Sequence, residues 1–202
     1  MTDMKLGIYG GTFNPVHLGH IHLLREVRRL TDLDKILVMP DRVPPHKAAA
    51  DLASGQVRAQ MLRLAVRDID GAEVSMLELD KEGKSYTYLT LRELKQLYPD
   101  DTLYLIMGAD MLLTFREWRN WEEILSNAHL IAAARDDGEY EALKKAAAEL
   151  GNADVLKIEP LPMSSTDVRE AVKAGQPIDG MVPAEVARYI VEHGLYRQDR
   201  KD

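Results

Sequence analysis

Three of the chain's six histidines, His17, His20 and His22, fall inside the stretch GIYGGTFNPVHLGHIHL at residues 7–23. Two adjacent glycines, Gly10 and Gly11, stand just before them, where an apolar run ends. Imidazoles at this spacing could ligate a metal, hold a phosphate, or do no more than pack and cap a turn. His17 and His20 lie about one helical turn apart and share a face, whereas His22 falls off that face. A metal site would draw on His-x-x-His-x-His, yet no cysteine or well-placed carboxylate accompanies it, and only Glu26, one turn past His22, is in reach. A phosphate fits better. Paired glycines expose backbone amides and admit a close ligand, and Thr12 and Phe13 continue that turn. A helix starting near Leu18 would aim its unpaired N–H groups and positive dipole end at the same place. The Gly-x-Gly-x-x-Gly dinucleotide fingerprint is absent.

A second cluster is MSSTDVR at residues 163–169. Ser164 suits a helix N-cap, with Asp167 reaching back in a capping box. An anion at the same helix start would add contacts from Ser164, Ser165, Thr166 and Arg169. One helix end contributes only about 0.3–1 kcal/mol, and millimolar binding already needs about 4 kcal/mol. A triphosphate therefore requires both helix starts to converge, with cations besides. Other candidates are scattered. VPPHK (43–47) ends a proline-stiffened loop in two cation-capable side chains, His46 and Lys47, which suit either a solvated connection or an anionic substrate. GAD (108–110) allows close backbone approach at Gly108, and Asp110 could accept a ribose hydroxyl or cap a helix. Trp118 and Trp121, the only tryptophans, sit three apart in EWRNW, a spacing that on one short helix serves packing or a flat aromatic ligand.

These residues need a frame, and the pattern supplies one. Strands are expected at 5–9, 35–40, 72–79, 102–108, 128–134 and 154–159. Helices are expected at 19–30, 56–66, 86–98, 121–125, 139–150, 164–175 and 183–194. Short apolar strands alternating with amphipathic helices predict an α/β fold: a Rossmann-like, doubly wound parallel sheet with helices on both faces. Ligands in such folds sit beyond the carboxyl ends of the strands. The carboxyl ends here are Gly10–Gly11, Gly108–Asp110 and the approach to Ser164, so the clusters fall where the fold would want them.

The bulk properties narrow the class. The chain has 202 residues, 46% hydrophobic and 29% charged, which suits one domain, 1–202, with the C-terminal helices (about 164–196) packing as a small subdomain. A net charge of -7 argues against broad nucleic-acid binding. The absence of cysteine excludes disulfides and thiolate metal sites. No apolar run approaches the roughly 18 residues of a membrane span, and the acidic start does not read as a signal peptide. A cytoplasmic protein without a membrane partner is the expectation, with homo-oligomerisation left open.

GGTFNPVHLGH resembles the signature of adenylyltransferases with a Thr/His-x-Gly-His motif, and SSTDVR is similar to their second signature, Ser-Ser-Thr-x-Ile/Val-Arg. PPHK, SYT (85–87), GAD, Trp118 and EHGLY (192–196) further resemble bacterial nicotinate-nucleotide adenylyltransferases, so the likeness runs from about residue 4 to residue 196. The resemblance implies transfer of AMP from ATP to nicotinate mononucleotide, releasing pyrophosphate, with Mg²⁺ held mainly by the ATP phosphates. His17 and His20 would be catalytic. ATP would be held by Gly10, Gly11, Thr12, Phe13, His17, His20, Gly108, Asp110, Ser164, Ser165, Thr166 and Arg169. The acceptor would meet Lys47, Ser85, Tyr86, Thr87, Trp118 and Arg135. Beside a triphosphate, His20 is expected to become cationic. Nicotinamide mononucleotide or phosphopantetheine as acceptor, and a non-catalytic nucleotide- or metal-binding regulator, remain as alternatives. Three residues depart from the family pattern: Asn14 where Asp is common, Asp41 where an amide is expected, and Asp136–Asp137 after Arg135 where Arg-Pro-Gly is common.

Overall fold

A computed structural model describes residues 3–42, 52–81, 85–134 and 136–197. Six strands form one sheet: β1 (Lys5–Gly11), β2 (Lys35–Pro40), β3 (Ala72–Val74), β4 (Thr102–Gly108), β5 (His129–Ala134) and β6 (Ala153–Lys157). All neighbouring pairs are parallel, in the order β3-β2-β1-β4-β5-β6. The chain leaves β1 toward one edge and returns at β4 toward the other, so the topological switch lies between β1 and β4. The expected doubly wound sheet is therefore present.

Helices α1 (Leu18–Leu30), α2 (Gly55–Val66), α3 (Thr87–Leu97), α4 (Ala109–Leu113), α5 (Trp121–Asn127), α6 (Asp137–Leu150), α7 (Ser165–Lys173) and α8 (Ala184–Glu192) pack around it. Alternation along the strands builds two cores. Leu6, Ile8, Leu37, Leu105 and Leu130 join Leu91, Leu112, Ile124 and Leu143 on the face covered by α3 to α6. Tyr9, Ile36, Val38 and Ile106 join Ile21, Leu24, Met61 and Leu62 on the other. Val168, Ala171, Val186 and Ile190 of α7 and α8 belong to that second cluster, so the last helices close over the same core as α1.

Three expectations need correction. The strand expected over 72–79 stops at Val74, and residues 77–79 turn instead. The ladder ends where the Ser75 amide reaches the Val38 carbonyl, because the next donor on β2 would be Pro40, which has no N–H. A short helix, α4, follows β4 directly where none was expected. Trp118 and Trp121 do not share a helix. Trp118 closes a 3₁₀ turn (Phe115–Glu117) in an extended conformation, Asn120 turns through φ 55, and Trp121 begins α5. Both indoles pack around buried Phe115, with centroids 5.6 and 6.3 Å away.

Candidate active site

The carboxyl end of β1 runs into a tight turn whose side chains are nearly all committed to holding it. Phe13 takes φ 49 and is buried, its ring edge-on to Tyr9 at 5.5 Å and to His20 at 5.0 Å. It can offer a ligand only its backbone. Asn14 Oδ1 accepts from the Ala53 amide at 3.1 Å and the Tyr196 hydroxyl at 2.8 Å, while the Asn14 carbonyl accepts from Arg169 at 2.8 Å. The Asn14–Pro15 peptide bond is cis. Gly10, in contrast, is exposed, and a Cβ there would meet nothing within 4 Å. That is the open ground where a ligand can approach the backbone.

His17 caps α1 in an extended conformation, and its ring lies 3.6 Å from that of His20. The His17 amide donates to His20 Nδ1 at 3.2 Å. With Nδ1 acting as acceptor, the neutral ring carries its proton on Nε2. Burial pushes His17 down to about 4; burial, then the neighbouring His17, pushes His20 down to about 3. Both imidazoles are neutral near pH 7. The cation expected on His20 would need a rise of roughly four units, worth about 5 kcal/mol, and would break the bond from the His17 amide. The geometry instead suits a neutral Nε2–H donor. Gly19 makes room for this arrangement, since a Cβ there would lie 3.0 Å from the His17 ring and 3.3 Å from Met163.

The start of α1 is less open than its sequence suggests. The Leu18 amide already donates to the Met181 carbonyl at 2.9 Å, and the Gly19 amide to the Met163 sulfur at 3.3 Å. His22 points elsewhere, its Nε2 on the Glu159 carbonyl at 2.7 Å, so the three histidines do not converge. Among the described residues no group of three or more His, Cys, Asp or Glu could hold a metal.

The second cluster docks on the first. Ser164 caps α7 with the expected box: its amide and hydroxyl donate to Asp167 Oδ2, both at 2.7 Å, and the Asp167 amide returns to Ser164 Oγ at 3.2 Å. Ser165 Oγ donates to the Pro15 carbonyl at 2.8 Å. Arg169 spans the gap, donating to the Asn14 carbonyl and to Thr166 Oγ1 at 3.1 Å. Of the three hydroxyls, that of Ser164 closes the capping box, that of Ser165 fastens α7 to the β1–α1 turn, and that of Thr166 accepts from Arg169. The Ser165 and Thr166 amides, in the first turn, lack intrahelical acceptors and remain for an anion.

At the end of β4, Gly108 rather than Asp110 takes the N-cap of α4. Asp110 sits exposed in the first turn, with Oδ1 3.1 Å from where a Gly108 Cβ would stand. Tyr86 caps α3 and Thr87 opens it. Ser85 Oγ accepts from the Arg42 amide at 3.3 Å. The Arg119 guanidinium lies 5.0 Å from the Tyr86 ring, which brings the turn after Trp118 beside residues 85–87. Thr90 donates to Glu78 at 2.8 Å, and burial pushes that carboxyl up. Asp136 caps α6, accepting from the Glu139 amide at 2.8 Å. Lys47, His46 and Arg135 lie outside the described residues.

Sequence reasoning missed the residue most deeply involved. Arg58 is 1% exposed. It donates to the Ala53 carbonyl at 3.1 Å, the Thr12 carbonyl at 2.7 Å and the Asp41 carbonyl at 2.7 Å, and lies 3.4 Å from Asp41 Oδ1. Thr12 Oγ1 donates to Asp41 Oδ2 at 2.9 Å. A signal was present: Arg58, Met61, Leu62 and Ala65 fall at i, i+3, i+4 and i+7, which puts a cation on the core face of α2. A cavity of about 690 Å³ lies at the opposite end of the sheet, lined by residues such as Lys5, Asp32, Tyr104 and Asp154. Lys5 and Asp32 pair with each other there, and none of the clusters above borders it.

The sequence profile described as Cytidylyltransferase-like matches residues 8–171. The nicotinate-nucleotide adenylyltransferase of Bacillus subtilis (strain 168) is 38% identical over 192 residues, covering 95% of this chain and 98% of that protein. The chain belongs to the nicotinate-nucleotide adenylyltransferase family. A probable family member from Desulfitobacterium hafniense (strain Y51) is 41% identical over 198 residues, covering 96% of each chain. Among solved structures, the Plasmodium falciparum nicotinic acid mononucleotide adenylyltransferase complexed with NaAD superposes with a TM-score of 0.78 at 21% identity, covering 96% of this chain and 97% of that one. At that identity the likeness speaks for the fold, and it extends over the whole family domain. The resemblance drawn from the two signatures is therefore borne out at the level of family and fold.

Proposed function

We propose that the chain transfers the adenylyl group of ATP to nicotinate mononucleotide, giving nicotinate adenine dinucleotide and pyrophosphate. The observation that carries this reading is the fastening of α7 to the β1–α1 turn, Ser165 on Pro15 and Arg169 on Asn14, across about 150 residues of sequence. It brings two motifs side by side, which supports reading them as one anion site. The near full-length likeness to named relatives supports the choice of substrates.

The chemistry suits the groups present. The acceptor's phosphate is already ionised, so its oxygen attacks the α-phosphorus of ATP without a general base, and the bond to the bridging oxygen breaks as pyrophosphate leaves. The protein must align two polyanions in line and stabilise charge on the transferred group and on the departing pyrophosphate. In this reading the exposed backbone at Gly10, with the half-buried Gly11 after it, the Ser165 and Thr166 amides and His20 Nε2–H face the triphosphate. Asp110 takes the ribose of ATP. Thr87 and Trp118 receive the nicotinate ring, with Ser85 and Tyr86 shaping the pocket, and Lys47 and Arg135 serve the mononucleotide side.

Family members use a divalent cation, and the donor set here fits one held by the nucleotide. Imidazoles and amides suit phosphate oxygens, and no three-carboxylate cage exists among the described residues. Mg²⁺ would be held mainly by the ATP phosphates and would supply charge neutralisation.

Pyrophosphate release from ATP and Mg²⁺, with nicotinate mononucleotide, nicotinamide mononucleotide and phosphopantetheine as parallel acceptors, tests the reading. Release with the nicotinate form well above the others is the expected result. Release only with another acceptor keeps the phosphate site and overturns the roles of Thr87 and Trp118. A folded protein that releases nothing with any acceptor is a nucleotide-binding regulator instead.

A further inference from the structure

The start of α7 offers an anion the amide and hydroxyl of Ser164 and the amides of Ser165 and Thr166. The first two are already taken. Asp167 Oδ2 accepts from the Ser164 amide and from the Ser164 hydroxyl, both at 2.7 Å. The Ser164 hydroxyl, then its amide, holds the Asp167 carboxyl below the usual carboxylate range, so the group is ionised at neutral pH. The side chain is exposed, and it stands close enough to His17 to oppose in part the drop that burial imposes on that ring. The carboxylate is therefore on the side of α7 that faces the histidine pair, where the triphosphate is read to lie.

A capping box in this place could hold the helix, or it could hold donors that the anion needs. α7 is held by other means. Ser165 Oγ donates to the Pro15 carbonyl, Arg169 donates to the Asn14 carbonyl, and Val168 and Ala171 lie in the core. The box can open without undocking the helix. A carboxylate and a phosphate at one helix start draw on the same amides and the same positive dipole end, so each weakens the hold on the other.

We infer that Asp167 competes with the triphosphate for the start of α7: it holds the Ser164 amide and hydroxyl in the free chain, gives them up when ATP binds, and takes them back as pyrophosphate leaves. The inference rests on the reading that the two motifs form one anion site. Asp167 touches no reacting atom. It sets how tightly polyphosphates are held, and so how readily pyrophosphate departs.

The test is equilibrium titration of the full chain with ATP and Mg²⁺, without acceptor, for the parent, Asp167→Asn and Asp167→Ala. Inhibition of steady-state turnover by pyrophosphate is the second readout. Asp167→Ala frees both donors and removes the charge, and should lower Kd for ATP and Ki for pyrophosphate about fivefold each. Asp167→Asn keeps an oxygen for Ser164 but loses the charge, and should fall between the parent and the alanine variant. KM for nicotinate mononucleotide should stay within about twofold of the parent. The gain in ATP affinity should shrink as salt rises from about 50 to about 500 mM. A Kd for ATP that is unchanged or raised in Asp167→Ala shows that the box only orders the helix, and overturns the proposal; so does an equal gain for ATP and the mononucleotide. If Asp167→Ala does not fold, Asp167→Asn decides alone, since it keeps the cap and must still bind ATP more tightly than the parent. A parent that binds no ATP overturns the functional reading and the competition with it, whereas a parent that binds ATP beside variants that bind it no better overturns the competition alone.

Discussion

Acidifying the protein from about pH 7.5 to about pH 5 should destabilise it through the two stacked histidines, by an amount that follows from their burial. An unfolded imidazole titrates near 6.5, while the folded chain holds His17 down to about 4 and His20 down to about 3. The folded values are depressed, so the unfolded chain takes up protons first. Stability is full above about 6.5 and falls as the pH drops below it, until each folded group titrates in turn. At pH 5 the unfolded rings are almost all protonated and the folded ones almost all neutral, a gap of about 1.5 units. Each histidine then contributes about 2 kcal/mol of lost stability, and the pair roughly 2–4 kcal/mol because the rings are coupled. Urea midpoints across this range, for the parent and for His20→Gln, measure the term directly. The variant keeps an amide donor but cannot titrate, so its loss between the two pH values should be smaller by about 2 kcal/mol. Equal losses would mean that His20 is not held neutral by burial, and the Nε2–H donor role would fall with it.

Other perturbations address the same corner. His20→Ala should lower kcat about 10²- to 10³-fold while changing KM for ATP only a few-fold; an effect confined to KM would remove the transition-state role. Gly19→Ala places a Cβ 3.0 Å from the His17 ring, so turnover should fall while the thermal midpoint drops only slightly, and an unaffected kcat would show that His17 need not hold its position. Tyr196→Phe deletes the donor to Asn14 Oδ1 and should cost about 1–3 kcal/mol in urea unfolding, with no loss expected if water takes its place.

Much of this protein was legible in its sequence because the signals are local. The strand that ends in Gly10–Gly11, the helix start at Leu18 and the Ser164–Asp167 capping box depend on residues within a turn of one another, and they formed as expected. Alternating elements were enough to predict a doubly wound parallel sheet. Family membership was legible for a related reason: two separate motifs in fixed order are unlike any composition effect.

What only the tertiary structure decided concerns where each donor and charge is spent. The hydroxyls of Ser165 and Thr166 have the same local sequence whether they face a ligand or not. The partner of Ser165, the Pro15 carbonyl, is set by the docking of α7, whereas Thr166 meets Arg169 of its own helix. The start of α1 looks open in sequence, yet Met181 and Met163 from far along the chain meet its amides. The protonation of His20 follows from how deeply the fold buries it beside His17, which no spacing reveals. Arg58 is the plainest case. A helical period shows that it faces the core, but only the approach of β1, β2 and the segment before α2 shows that it holds three carbonyls and one carboxylate together. Local patterns fix elements through short-range sterics and backbone hydrogen bonds; burial, pairing and protonation depend on which distant groups exclude water from one another.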